Sequence, residues 1–272
     1  MKWIINNWLL LVAGMMLVSC ATQKRLSNKT TGKEIKVMTY NVHHCNPPDR
    51  KGAIDVDAIA EVIQQQNADF VAVQEVDVHT GRSGKINQAD LLAKKADYPF
   101  YYFAKAMDYD GGQYGLLILS KYPVSDTQTV MLPISNNNKR DEPRILALAT
   151  VTLRNGLQVR FGSTHLEAFN KASRLMQIKE INRIASVTNL PFIVAGDFNA
   201  EEKSDVINTL DLSFERSCKN CPNTFDEDSE TGAIDYIAFK KGSPFKVKLH
   251  QVIPNKTASD HMPVVAILEI NK

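Results

Sequence analysis

Between Ile35 and Ile270 short apolar runs alternate with helix-patterned stretches, and almost every run stops on a polar side chain able to do chemistry. That rhythm constrains the fold more than any other feature of the chain. Ile35, Val37 and Thr39 alternate with Lys36 and Met38, a strand pattern ending at Tyr40-Asn41. Asp55 to Gln66 places Val56, Ile59, Ala60 and Ile63 at helical spacing, with Asp55 as the N-cap. Phe70 to Val73 reads as a short buried strand ending at Gln74-Glu75, Gln88 to Ala96 as a helix, and Phe100 to Ala104 as a strand. Leu116 to Leu119 is apolar and stops at the turn Ser120-Lys121-Tyr122-Pro123. Ile145 to Leu153 and Leu157 to Ser163 flank Asn155-Gly156, a strong hairpin signal because both residues tolerate the positive φ of a tight turn. Asn170 to Val187 is a long amphipathic helix, and Ile234 to Phe239, Val247 to Val252 and Val264 to Ile270 complete the strands. An antiparallel hairpin excludes a simple parallel doubly wound sheet, so the pattern predicts one mixed α/β domain over residues 35–272. No internal repeat or low-complexity segment interrupts it.

The N-terminus has a different character. Lys2 supplies a positive charge, Trp8 to Val18 is mostly apolar, and Leu17-Val18-Ser19-Cys20 ends the run. The run is too short to favour a permanent spanning helix and suits an export signal over residues 1–19. Its ending resembles a bacterial lipobox, which implies cleavage before Cys20 and lipidation of that cysteine; a plain signal peptide or membrane anchor is the alternative. Residues 20–34 then read as a lipidated, polar and basic tether. On this reading the protein sits in the bacterial cell envelope, on the periplasmic face or the cell surface. An exported chain lies where disulfides persist. Of the remaining cysteines, Cys218-Lys219-Asn220-Cys221 closes a local bridge or stays as free thiols, and Cys45 is an unpaired bystander. No second ligand pair completes a zinc site.

A formal net charge of +2 lacks the basic excess of a non-specific nucleic-acid binder. Nucleic acid is therefore expected at most as a substrate, and no stable protein partner is indicated.

The strand-end groups, taken in order, are Asn41, Glu75, His165, Asp197 with Asn199, Asp235, and Asp260 with His261. Convergent carboxylate, amide and imidazole groups are what metal-assisted hydrolysis needs. Six motifs occur in sequence: Thr39-Tyr40-Asn41-Val42-His43-His44, Gln74-Glu75-Val76-Asp77, Ser163-Thr164-His165-Leu166-Glu167, Gly196-Asp197-Phe198-Asn199, Ile234-Asp235-Tyr236-Ile237 and Ser259-Asp260-His261. Together they resemble the endonuclease/exonuclease/phosphatase superfamily, the group that contains DNase I and the neutral sphingomyelinases, over roughly residues 35–270.

The resemblance implies a four-layer α-β-β-α sandwich with two mixed, largely antiparallel sheets. It also implies a divalent-metal phosphoesterase, with Mg²⁺ expected and Mn²⁺ as the substitute. Mg²⁺ is a hard ion that takes oxygen ligands, so one or two carboxylates plus a substrate phosphate suffice. Glu75 is the expected metal ligand, with the amide oxygen of Asn41 beside it and Asp260 in contact with metal or water. Asp197 matches the family aspartate that orients or deprotonates the attacking water, and Asn199 helps hold that water or the phosphate. His261 contacts the phosphate, oriented by Asp235, and His165 stabilises developing charge or protonates the leaving oxygen. General acid–base help of this kind is worth ~10²–10⁴-fold for each group. Arg144 and Tyr114 are expected at the phosphate. Arg82 and Gln88 belong to a substrate-side loop, and His44, with His43 beside it, stands at the rim.

Glu201-Glu202-Lys203-Ser204-Asp205 after the Gly-Asp-Phe-Asn motif departs from the abasic-site nucleases, and no long aromatic membrane-docking hairpin is present. The substrate stays open among lipid head-group, nucleic-acid and sugar phosphates. Two functional classes remain: an active phosphoesterase, or a scaffold that binds phosphate ligands without turnover.

Overall fold

Strands that are apolar on both faces must be covered on both faces, and this requirement builds the layers. In the first strand, β1 (Glu34–Asn41), Ile35 and Val37 point one way while Met38 and Tyr40 point the other, and all four are buried. The strand β2 (Phe70–Val78) divides likewise, with Phe70 and Ala72 opposed to Val71 and Val73. A computed structural model describes residues 33–135, 141–225 and 232–271 of the chain. The signal, Cys20 and nearly all of the tether lie outside these residues. No helix among the described residues is long and apolar enough to cross a membrane.

The remaining elements are α1 (Val56–Gln66), α2 (Gln88–Lys95), β3 (Phe100–Tyr109), β4 (Gly112–Ser120), β5 (Val124–Met131), β6 (Ile145–Thr152), β7 (Gln158–His165), α3 (Lys171–Val187), β8 (Phe192–Asp197), α4 (Asp205–Ser213), β9 (Phe214–Arg216), β10 (Asp235–Lys240), β11 (Phe245–Val252) and β12 (Val264–Ile270). They form two six-stranded sheets, ordered β11-β12-β1-β2-β4-β3 and β5-β6-β7-β8-β10-β9. Each sheet has one parallel pair at its centre, β1 with β2 and β7 with β8, and is antiparallel elsewhere. The helices α1 and α3 make the two parallel crossovers.

The expected four-layer sandwich is present. One apolar cluster fills the space between the sheets, with Val37, Phe70, Ile118, Phe161, Ile193 and Ile237 among its members. A second joins the first sheet to α1 and α2 through Ile59, Ile63 and Leu92, and a third joins the second sheet to α3 and α4 through Ile178, Ile181, Ile207 and Leu210. Each fully buried aliphatic side chain contributes about 1.5–3 kcal/mol relative to exposure. Asp55 caps α1 by accepting from the Ala58 amide at 2.9 Å, and Asn170 caps α3 by accepting from Ala172 and Ser173. Gly156 turns the β6–β7 hairpin at φ +83°.

Several elements differ from the sequence reading. β2 continues past Val73 to Val78, and β3 and β4 extend as a long hairpin beyond Ala104 and before Leu116. β5, β9 and α4 are additional. Cys218 and Cys221 form a disulfide, and Cys45 is a buried free cysteine.

Candidate active site

The C-terminal ends of the two parallel pairs meet where the sheets face one another. Residues at the carboxyl ends of parallel strands are free of ladder partners beyond them, which is why such ends carry sites. In the first sheet Asn41 pairs in register with Gln74, and in the second His165 pairs with Asp197. Antiparallel β10 then sets Asp235 opposite Asp197. Gly196 permits this convergence, since a Cβ there would lie 2.0 Å from the Thr164 carbonyl oxygen. The ends open into a cleft of about 1320 Å³.

Glu75 reaches the cleft through a backbone irregularity. The β2–β4 register shifts between Val73 and Val76, and Glu75 takes φ +60°. A left-handed non-glycine residue costs roughly 1–3 kcal/mol, a strain that the surrounding contacts must hold in place. The adjoining turn is left-handed over His43, His44 and Cys45, at φ 45°, 44° and 59°. It is braced by Cys45 N–H to Val42 O at 2.7 Å, Asp55 N–H to Cys45 O at 2.7 Å, and Gln88 Nε2 to His44 O at 2.7 Å. Gln88 is fully buried and also accepts from the Asp77 amide at 2.9 Å. It therefore holds the strand to the turn from the first residue of α2 and is not among the cleft-lining residues, where the sequence suggests a substrate-side loop.

Asp197 is the hub. Its Oδ2 accepts from Asn41 Nδ2 at 3.1 Å and lies 3.4 Å from His165 Nε2 and 3.7 Å from His261 Nε2. Its Oδ1 accepts from the Asn199 amide at 2.8 Å, and the Asn199 side chain donates to Leu166 O at 2.9 Å. His261 Nδ1 bonds Asp235 Oδ2 at 2.9 Å, and Thr224 Oγ1 donates to the same oxygen at 2.7 Å. Asn41 Nδ2 also donates to Glu75 Oε1 at 3.1 Å, so one amide bridges carboxylates from both sheets. The Asn41 oxygen accepts from His43 N–H at 3.0 Å. As oriented, the amide presents nitrogen to the carboxylates, the reverse of the oxygen donor expected, because two carboxylates need a donor and His43 needs an acceptor. Asp260 lines the cleft with Oδ2 3.9 Å from His43 Nδ1.

These surroundings separate the titrating groups. Burial, then the Asp235 charge, push Asp197 up to about 7, against His261, Asn199 and Asn41. Burial opposes a charge on His261, but Asp235 above all, with Asp197 and Asp260, hold its proton up to about 10. Burial and then the Arg144 cation keep His165 well below the usual histidine range, so it is neutral. Burial also works against ionised Glu75, yet His44, His165, Asn41 and His261 outweigh it and hold the carboxyl well below the ordinary range.

The four expected substrate contacts all line the cleft. His44 Nδ1 is 3.8 Å from Glu75 Oε2. Tyr114 is buried on β4, and burial followed by the Glu75 charge keeps its phenol protonated. Arg144 is 3.0 Å from Glu142 and 3.6 Å from Glu167, a fully buried carboxylate. Arg82 grips buried Asp77 with two hydrogen bonds of 2.7 and 2.9 Å.

A hard divalent cation fits the oxygen-rich side of the site. Glu75 is ionised, lines the cleft, and has Oε2 beyond hydrogen-bond reach of His44; Asp260 lines the same cleft. Asp197, Asp235 and His261 also bring donor atoms within 4.8 Å of one another. There, however, His261 and Asp235 are committed to each other, and a protonated imidazole offers no lone pair. Two positioning groups had escaped the sequence reading. Thr224 sits in an irregular loop and carries no signal. Ser259, which donates to Asn41 O at 2.8 Å, was visible as the first residue of the Ser-Asp-His motif.

A family model for the Endonuclease/Exonuclease/phosphatase family matches residues 38–261. A search of curated proteins gave no match. Among solved structures, an endonuclease/exonuclease/phosphatase from Beutenbergia cavernae DSM 12333 superposes with TM-score 0.73 at 23% identity, covering 88% of this chain and 72% of that one. A mannosyl-6-phosphatase from Bacteroides thetaiotaomicron VPI-5482 gives 0.70 at 20% identity, covering 86% and 99%. A humanized D. rerio TDP2 gives 0.67 at 16% identity, covering 87% and 99%. Paired six-stranded sheets with this strand-end constellation, and a match over most of the sequence, lead to one conclusion: the chain belongs to the endonuclease/exonuclease/phosphatase family, whose members are phosphoesterases.

Proposed function

We propose that this chain hydrolyses P–O bonds of phosphate esters by metal-assisted attack of water. The observation that carries the reading is the convergence on Asp197 of Asn41 at 3.1 Å, His165 at 3.4 Å and His261 at 3.7 Å. Glu75 and Asp260 would hold Mg²⁺, or Mn²⁺ in its place. A cation bound there supplies Lewis-acid polarisation of the phosphoryl group. Asp197, with its proton affinity raised toward neutrality, takes the proton of the attacking water while the Asn199 segment fixes its orientation. His261, protonated and steered by Asp235, donates from Nε2 toward a phosphoryl oxygen. Neutral His165 stands on the other side of Asp197, where a ring N–H stabilises the leaving oxygen by hydrogen bonding while that oxygen takes its proton from solvent. Arg144 adds fixed positive charge at the wall.

Bis-p-nitrophenyl phosphate and p-nitrophenyl phosphate test this directly, with Mg²⁺ or Mn²⁺ against an EDTA control. Turnover that requires metal and disappears in Asp197→Ala supports the proposal. Phosphate binding without turnover would make the chain a binding module instead.

On the strength of Leu17-Val18-Ser19-Cys20 we further propose that the mature chain is held at a bacterial membrane by lipid on Cys20. Fatty-acid labelling that persists in Cys20→Ser would refute that.

A further inference from the structure

The cleft is far larger than a phosphoryl group needs, and Phe169 and Tyr109, aromatic rings that the proposed chemistry does not use, line it. Phe169 is 85% exposed, lines the cleft, and follows His165 by four residues. A lone exposed phenylalanine on a surface needs no explanation. This one stands on a rigid pedestal. Its own N–H donates to buried Glu167 Oε1 at 3.0 Å, and the other Glu167 oxygen accepts from the Glu142 amide at 3.2 Å. Arg174 donates to the carbonyls of Glu167 and Ala168 at 2.6 and 2.7 Å, and Gln177 Oε1 accepts from the Glu167 amide at 2.9 Å. Immediately beyond, Asn170 caps α3. The backbone on both sides is thus fixed, while the phenyl ring packs into none of the three apolar clusters.

Tyr109 is the second ring. It lines the same cleft from the β3–β4 hairpin, is 38% exposed, and lies against the Arg82 guanidinium at 4.4 Å. Arg82 is itself clamped by fully buried Asp77, so this face is also held in place. An exposed ring on a braced backbone, Phe169, and a ring whose one face is backed by Arg82, Tyr109, both line the cleft and match the chemistry of a planar ring carried on the ester. The near-neutral charge of +2 fits a small ester better than a long polyanion.

We propose that Phe169 and Tyr109 form an aromatic platform that stacks a planar ring on the organic arm of the phosphate ester, so that the preferred substrates are small esters bearing a nucleobase or aryl group. This rests on the phosphoesterase reading for its location but is tested by binding. Adenosine 5′-monophosphate and ribose 5-phosphate share the phosphate and the sugar and differ in the ring, and calorimetric titration with Mg²⁺ in an Asp197→Asn background, where neither is turned over, measures the binding of both. Ring stacking predicts a preference for the nucleotide of roughly ten- to a hundredfold. The preference falls toward one in Phe169→Ala, falls in part in Tyr109→Ala, and is restored in Phe169→Trp. Leu212→Ala removes another exposed apolar side chain, one outside the cleft, and keeps it. Equal binding of the two probes where Phe169 and Tyr109 are intact, or a preference that survives Phe169→Ala, overturns the platform. If the preference tracks Phe169 while bis-p-nitrophenyl phosphate is not hydrolysed, the platform stands and the catalytic proposal fails.

Discussion

Glu75 and Asp197 are both carboxylates deep in the site, both accept from the same Asn41 amide at 3.1 Å, and their acidities move in opposite directions. The first sheet places Glu75 among His44, His165, Asn41 and His261, and these keep it ionised despite burial. The second sheet buries Asp197 beside Asp235, and burial first, then the Asp235 charge, raises its proton affinity toward neutrality. Side-chain chemistry is nearly the same in the two residues; position decides the role. A permanently ionised carboxylate suits a cation, and one that titrates near pH 7 suits proton transfer.

The largest effect that breaks this contrast comes from Asp197→Asn. The amide keeps the size and can still receive Asn41, but it cannot take a proton, so kcat should fall by ~10²–10⁴-fold with the fold intact by circular dichroism. Turnover within a few-fold of wild type would remove Asp197 from the chemistry.

A smaller effect sharpens the electrostatic side. In the metal-free protein, imidazole resonances should show His261 holding its proton up to about pH 10, and Asp235→Asn should bring it down toward the ordinary 6.5. Because the folded value is raised, the His261–Asp235 pair stabilises fully below about pH 6.5, and that stabilisation is lost as pH rises through about 10. Asp235→Asn should therefore flatten the decline of unfolding free energy across that window, as followed by urea titration.

The smallest effect lies away from both carboxylates. The Cys221 amide donates to Glu202 at 2.9 Å, and Glu202 lines the cleft. Replacing Cys218 and Cys221 by Ser removes a short-loop crosslink worth about 2 kcal/mol in the chain-entropy account. Thermal unfolding should shift by several degrees while kcat changes little. A collapse of activity would tie the bridge to the chemistry.

What was legible in the sequence follows the same division between pattern and context. The β6–β7 hairpin could be read from Asn155-Gly156, and α1 and α3 from their spacing and caps, because these signals are local. β5 was not, since Ser125, Asp126, Thr127 and Gln128 are exposed on an edge strand with little apolar pattern to show. α4 could have been found: Ser204 accepts from the Ile207 amide, and Val206, Ile207 and Leu210 bury one face. The strand-end positions of Asn41, His165 and Asp197 were legible because the apolar runs stop there, and Asp235 because a carboxylate interrupts the apolar run of β10 at its start. The bulge that turns Glu75 inward, the left-handed turn at His43–Cys45 and the bracing role of Gln88 were not. Each depends on contacts between segments distant in sequence, which no local pattern encodes.

The separation of roles between the two carboxylates is tested most directly by titrating Mg²⁺ into Glu75→Gln and Asp197→Asn while following hydrolysis of bis-p-nitrophenyl phosphate. Glu75→Gln should regain turnover at raised Mg²⁺, with half-activation shifted at least about tenfold, and Asp197→Asn should stay inactive at every concentration. Recovery of Asp197→Asn by Mg²⁺, or a Glu75→Gln variant with wild-type metal dependence, would contradict it.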